Sequence, residues 1–272
     1  GSPLLLILPE HMTFKIERRL ALLMNDKGGF SRAFVLGFRR LCQNILNKNG
    51  GAVKPHINEM GKNLLLSRVI IEHKKELTDL AKAAKQRNFT ISLCAMLEEL
   101  KTYGITADEL EQAAETSSDE ALQQKLIDIA VLYNGFNKTI DGRYNDFEDM
   151  LAIAAQKIMA ADWLKNCEIW IDGFVFFNPQ EMNILKALFK ISADIHITLC
   201  IDDLKSSNNG DETSIFYRQY NTYKEISDLC RQFKIETKNT ALVHPYRFLM
   251  PAQKAIAYNM FSFPLKKAES AD

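Results

Sequence analysis

The sequence lacks most of the patterns that announce a chemistry. Its five cysteines, Cys42, Cys94, Cys167, Cys200 and Cys230, form no C-x-x-C pair, and their number is odd. Zinc ribbons, iron–sulfur ligation and a disulfide framework are therefore unsupported. Four of the five stand among apolar neighbours, where a thiol behaves as a small hydrophobe. No Gly-x-x-x-x-Gly-Lys-Ser/Thr occurs in the 272 residues, so the loop that cradles phosphates is missing. No nuclease-type carboxylate cluster is evident. The formal net charge is zero, which excludes a whole-protein field drawing the chain onto nucleic acid or membrane. No secretory signal pattern is present, and the apolar run Leu4–Leu8 is far too short to span a bilayer. The expectation is a cytoplasmic protein with no membrane partner.

What is there is ordinary in bulk and uneven in detail. A hydrophobic fraction of 47% and a charged fraction of 25% fit a globular chain with one large domain or two modest ones. Residues 1–50 carry eight basic side chains against three acidic ones, while residues 107–149 carry eleven acids against Lys125, Lys138 and Arg143. A phosphate backbone is drawn to the first segment and repelled by the second, unless both are merely solvated helix faces. The chain enters a buried-strand pattern almost at once, which implies an excised fragment.

Leu4–Leu8, closed by Pro9, reads as a strand buried on both faces. A helix is predicted over Met12–Met24, with Phe14, Ile16, Leu20 and Leu23 toward a core and Lys27-Gly28-Gly29 ending it. Ala33–Leu36 reads as a second strand, broken by Gly37, before a helix over 38–46. Another helix runs from near Glu59 into the 70s and toward the 80s. Residues 74–161 read as wholly helical. Thr106-x-x-Glu109 and Ser117-x-x-Glu120 are taken as two capping boxes. Strand character returns at Glu168–Asp172 and in the alternation of Asp194–Ile201, around a helix from Pro179 to about Ile191. Strand–helix–strand implies a parallel pair. Lys205–Asp211 reads as a polar loop. A helix near Phe216–Phe233, a short strand at Lys234–Thr237 and a helix near Pro251–Met260 complete the chain. The organisation is an α/β domain over 1–72 and 162–272 interrupted by an all-α insertion over 73–161.

The most informative stretch is Ile169–Glu181. It reads as a buried strand, an acid at its carboxyl end, a glycine turn and a marked helix start, with Asn178 as cap, Pro179 at the first helical position and Glu181 three residues after the cap. Ligands of open α/β sheets bind at such carboxyl ends. Asp172 there is a candidate Mg²⁺ ligand, with Asp202 and Asp203 as neighbours or, alternatively, a strand-end turn pair. Gly173 has no side chain to activate water.

Three segments together resemble the AddB (RexB) subunit of bacterial helicase–nuclease complexes. They are Leu8-Pro9-Glu10-His11-Met12-Thr13-Phe14, then Phe30–Ala33 running into Val35-Leu36-Gly37-Phe38-Arg39-Arg40-Leu41, and Asp172-Gly173-Phe174 with Phe177-Asn178-Pro179-Gln180-Glu181. Weaker similarity continues through Ile215-Phe216 and Arg247-Phe248 to Phe261. The resemblance implies a P-loop NTPase, UvrD-like helicase fold, incomplete at its N-terminus, because the family's phosphate loop precedes the strand at Leu4–Leu8. It implies a degenerate motor that reads single-stranded DNA in double-strand-break repair and recombination. Mg²⁺ and ATP are implied for the intact parent protein and none for this fragment. The implied macromolecular partner is an AddA-type helicase–nuclease subunit. Asp172 stands at the Walker B acid with Gly173 in place of the catalytic Glu. His11 replaces the family's usual Gln, and Gly37 its usual Ser.

On this reading the DNA-contact candidates are His11, Thr13, Phe14, Phe38, Arg40, Phe174 and Phe177. An aromatic at a strand end stacks on an unpaired base, and Arg40 suits phosphate or a guanine edge. Periodicity alone favours Phe14 and Phe38 as core residues at helix starts. His11 equally allows a base contact or plain exposure. Of Phe174, Phe176 and Phe177, at least one belongs in a core, since three adjacent aromatics do not all face water cheaply. Two other readings remain: a small Mg²⁺-dependent α/β enzyme built on Asp172, Asp202 and Asp203, and a helical module whose acidic block docks a partner.

Overall fold

The computed structural model describes residues 3–24, 30–50, 54–86, 88–144, 147–192, 194–201, 204, 211–242 and 250–260. The chain divides into two compact units, Gly1–Lys234 and Ile235–Asp272. The first holds a four-stranded parallel sheet of β1 (Leu4–Ile7), β2 (Ala33–Leu36), β3 (Glu168–Ile171) and β4 (Asp194–Ile197), in the spatial order β2-β1-β3-β4. β1 pairs in register with both neighbours: Ile7 stands opposite Leu36 on one side and Ile171 on the other. The protein is thus α/β with a parallel sheet, as the strand–helix–strand pattern predicts.

The alternation of each strand decides which face is core. Leu5, Ile7, Ile169 and Ile171 are fully buried against helices α2 (Phe38–Asn49), α7 (Phe147–Lys157) and α9 (Pro179–Ile191). Leu41, Ile45 and Leu46 of α2, Leu151 and Ala154 of α7, and Ile184, Leu185 and Leu188 of α9 complete this core. Each such aliphatic side chain contributes about 1.5–3 kcal/mol by leaving water. A second apolar cluster runs from Ile57 to Ile140. It joins α3 (Glu59–His73), α4 (Phe89–Thr102), α5 (Ala107–Thr116) and α6 (Glu120–Ile140). Residues 57–72 therefore pack with the helical cluster and α7 packs with the sheet. Between 74 and 161 the described residues form helices, short 3₁₀ turns and loops only.

Local signals explain several boundaries. The Asn178–Glu181 capping box closes both ways: the Glu181 N–H donates to Asn178 Oδ1 at 2.8 Å and the Asn178 N–H to Glu181 Oε2 at 3.0 Å. Thr106 and Glu109 do the same for α5. The second expected box does not form. α6 begins at Glu120 and is capped by Asp119, whose carboxylate accepts from the Ala121 and Leu122 N–H groups. Asp competes well for a cap, and Ser117 instead accepts from the Asp119 N–H in a local turn.

Other expectations are corrected. Helix α1 spans Glu10–Leu23, and Thr13 is its one buried residue. Phe14 and Leu23 face solvent, while Ile16 and Leu20 are half-buried. β4 ends at Ile197, with one further parallel bond from the Thr198 N–H to the Ile171 carbonyl. No strand forms at Lys234–Thr237: Lys234 turns to φ 57° after α10 (Tyr217–Gln232), and residues 235–242 have no regular structure. In the second unit the described helix is α11, Pro251–Asn259. The expected glycine turn at 27–29, most of the polar loop 205–211, and Arg247, Phe248 and Phe261 lie outside the described residues.

Candidate nucleic-acid interface

The parallel register brings three sequence motifs to one edge. Ile7, Leu36 and Ile171 are aligned, so the residues that follow them, Leu8-Pro9, Gly37 and Asp172, emerge side by side. Two backbone bonds continue the pairing past the strands, from the Leu8 N–H to the Leu36 carbonyl at 3.0 Å and from the Asp172 N–H to the Ile7 carbonyl at 3.1 Å. Each motif then turns: into α1 at Glu10, into α2 at Phe38, and through residues 172–178 into α9.

Glu10 ties the first two motifs together. Its carboxylate accepts from the Arg39 N–H at 3.0 Å, capping α2 from 29 residues away. A Cβ at Gly37 would stand 2.3–2.6 Å from that carboxyl group, so the glycine lets it approach. A helix N-terminus favours an anion, and here Glu10 supplies it. The start of α2 is thus already matched by an anion from within the chain. Arg40 is exposed and borders a shallow cleft of about 210 Å³ with Glu17, Phe34, Gln43 and Asn44. Beneath, the surroundings are dry and acidic. Burial, then the charges of Glu10 and Glu181, push the Cys42 thiol up to about 12. Glu181 is itself raised, chiefly by burial, against the lowering effect of the Asn178 N–H.

The predicted contact residues separate into surface and interior. His11 is exposed and Phe14 is 75% exposed. Thr13 is buried, its hydroxyl donating to the Glu10 carbonyl at 3.0 Å. Phe38 is only 4% exposed and meets Phe174 and Phe177 edge to face, with ring centroids 5.5 and 6.2 Å apart. Phe174 and Phe177 lie 5.0 Å apart, and Phe177 is buried with Phe38. Thr13, Phe38 and Phe177 thus serve packing, and Phe38 takes the core alternative the sequence left open. Phe176 is the outward member of its trio, 49% exposed.

Asp172 is exposed at the end of β3 and accepts a short hydrogen bond from the Thr198 hydroxyl. Asp202 and Asp203 lie outside the described residues, among which no group of three or more His, Cys, Asp or Glu could hold a metal ion. Gly173 has φ 83°, and a Cβ there would meet Met12 Sδ at 3.1 Å and Pro9 Cδ at 3.3 Å. A side chain at the position after the acid would be both strained and crowded, and glycine itself offers no base. These residues do not by themselves fit a nucleotide–metal site.

Sequence reasoning missed two links. Gln180 Nε2 donates to the Lys101 carbonyl at 2.8 Å, joining the motif helix α9 to the end of α4. Thr222, buried in α10, bonds the Val175 carbonyl at 3.0 Å. No spacing in the sequence signals either, because each spans tens of residues.

A parallel α/β sheet whose adjacent strand ends gather three turn motifs defines the class. The chain belongs to the family described as ADDB, N-terminal, whose model matches residues 1–255. It is 35% identical over 274 residues to the B subunit of the ATP-dependent helicase/deoxyribonuclease of Desulforudis audaxviator, covering 98% of this chain and 23% of that protein. It is 36% identical over 258 residues to the protein of the same name from Pelotomaculum thermopropionicum, covering 93% and 22%. It is 35% identical over 247 residues to the Bacillus mycoides protein, covering 88% and 21%. The chain thus spans less than a quarter of the length of these curated relatives. Among the described residues no helix is long and apolar enough to cross a membrane.

Proposed function

We propose that this chain is the single-stranded-DNA-binding part of a degenerate motor domain within the longer B subunit of a helicase/deoxyribonuclease. On this reading its fold is the P-loop NTPase, UvrD-like helicase type with the phosphate loop outside this chain. The whole protein acts with an AddA-type partner in cytoplasmic double-strand-break repair and recombination, and ATP and Mg²⁺ belong to that whole protein. This chain alone neither hydrolyses ATP nor cuts DNA.

The observation that carries the reading is the gathering of the Pro9–Phe14, Gly37–Leu41 and Asp172–Phe177 turns at the carboxyl ends of adjacent parallel strands. His11, Phe14, Arg40 and Phe176 are exposed on those turns. They supply a cation and stacking surfaces, the two components of sequence-tolerant single-strand binding.

The test is fluorescence anisotropy of labelled single-stranded oligonucleotides titrated with the chain across a salt series. Arg40→Gln is expected to flatten the dependence of log K on log salt by about 0.7, and Phe14→Ala to weaken binding with the slope kept. No binding by the unaltered chain, or binding indifferent to both changes, overturns the proposal.

One observation favours a second reading, a helical docking module. Met60, Leu64 and Ile71 of α3 recur on one helical face, and all three are exposed. Substituting them with serine leaves DNA binding intact on the first reading.

A further inference from the structure

The segments 174–177 and 217–222 hold an exposed aromatic and an exposed cation together at the end of β3. Phe176 is flanked by Phe174 and Phe177, which pack on the core, so its own ring is turned outward. The Arg218 guanidinium, on the first turn of α10, lies 5.9 Å from the Phe176 ring centroid. Among the described residues no carboxylate is paired with Arg218.

The pairing is held from beneath. Thr222, 2% exposed, has its hydroxyl 3.0 Å from both the Val175 carbonyl and the Arg218 carbonyl, and shares one proton between them. The residue before Phe176 and the backbone of Arg218 are therefore clamped to one buried group. The backbone positions that carry both side chains are thus fixed before a ligand arrives, which lowers the ordering cost of a contact there. Next to them is Gly173, whose φ of 83° turns the chain immediately after β3.

A planar aromatic face with a guanidinium beside it suits one ligand chemistry well. The ring stacks on an unpaired base and the cation meets the adjoining phosphate. We propose that Phe176 and Arg218 form a base-and-phosphate subsite for single-stranded nucleic acid, at the β3 end of the surface described above. The proposal rests on the single-strand-binding reading and adds a contact on α10, which no motif of that reading includes.

The test uses the 272-residue chain, with far-UV circular dichroism on each variant to establish that it folds. A labelled oligothymidylate is titrated by anisotropy over a salt series. Phe176→Ala is expected to weaken binding about 5- to 150-fold with the salt slope unchanged. Arg218→Gln is expected to flatten the slope by about 0.7, and Arg218→Lys to restore it. Phe176→Trp keeps a stacking ring, and its added emission is expected to be quenched by the oligonucleotide. If Phe176→Ala and Arg218→Gln bind like the parent and the new tryptophan is not quenched, while Arg40→Gln weakens binding, this subsite is wrong and the broader function stands. Absence of binding by the unaltered chain overturns both.

Discussion

The Met12 sulfur stands 3.1 Å from the point that a Cβ on Gly173 would occupy, so the turn after β1 closes over the turn after β3. Gly173 also holds φ 83°, which costs an L-residue about 1–2 kcal/mol. Gly173→Ala is therefore expected to lose about 1–3 kcal/mol in urea unfolding. Gly173→Glu, which restores the acid-plus-base pair on paper, is expected to destabilise further and to yield no Mg²⁺-dependent phosphate release from ATP. A Gly173→Ala midpoint equal to the parent's would contradict this account.

Phe38 begins α2 and Phe14 lies one turn into α1 beside the same edge, yet their substitution should separate cleanly. Phe38 is enclosed by Phe174 and Phe177, and Phe38→Ala is expected to cost about 3–5 kcal/mol of stability. Phe14 is exposed, and Phe14→Ala is expected to shift stability by about 0.5 kcal/mol or less. Equal thermal midpoints for the two variants would refute the burial assignment.

Asp128 is a buried carboxylate, 1% exposed, whose role is structural. It accepts from the Thr78 N–H at 3.0 Å and the Leu80 N–H at 2.8 Å, fastening the loop after α3 to α6. Asp128→Ala leaves those donors without a partner and is expected to cost about 3 kcal/mol. Asp128→Asn keeps one acceptor oxygen and should lose less. Amide hydrogen exchange at Leu80 should accelerate in the alanine variant, and unchanged exchange there would rule out the fastening role.

Glu181 gives the fold a pH dependence whose sign follows from its environment. Burial, opposed by the Asn178 N–H and reinforced by Glu10, raises its carboxyl above the usual 4.5. The folded state then binds a proton more tightly than the unfolded state. Its stabilising contribution is complete below 4.5 and is lost as pH rises through the raised value. Glu181→Gln keeps an acceptor for the Asn178 N–H and cannot ionise. Urea midpoints from acid to neutral pH should fall less steeply for this variant. Parallel curves would dismiss Glu181 as the source.

Much of this architecture was legible locally. The α9 start was readable because Asn178, Pro179 and Glu181 act within a single turn, where a cap and its partner are neighbours in sequence whatever the rest of the chain does. The strands Ala33–Leu36 and Glu168–Ile171 were readable from the short apolar runs Ala33–Leu36 and Ile169–Ile171. Competition between local signals was harder. The spacing pointed to a Ser117 box, whereas α6 starts at Glu120 with Asp119 as its cap.

The candidate site was legible only in part. Its motifs were named from sequence, and the alignment of Ile7 with Leu36 and Ile171 set them side by side. Which aromatic faces solvent was decided by tertiary packing alone. Phe14 and Phe38 have similar sequence contexts, but only Phe38 has Phe174 and Phe177 brought against it from more than 130 residues away. The same holds for Arg218, which reaches Phe176 because Thr222 is buried against the loop carrying it. Hydrogen bonds three residues apart are a property of the local chain. Exposure and long-range pairing are properties of whatever else packs at the same place, and only the folded sheet supplies that.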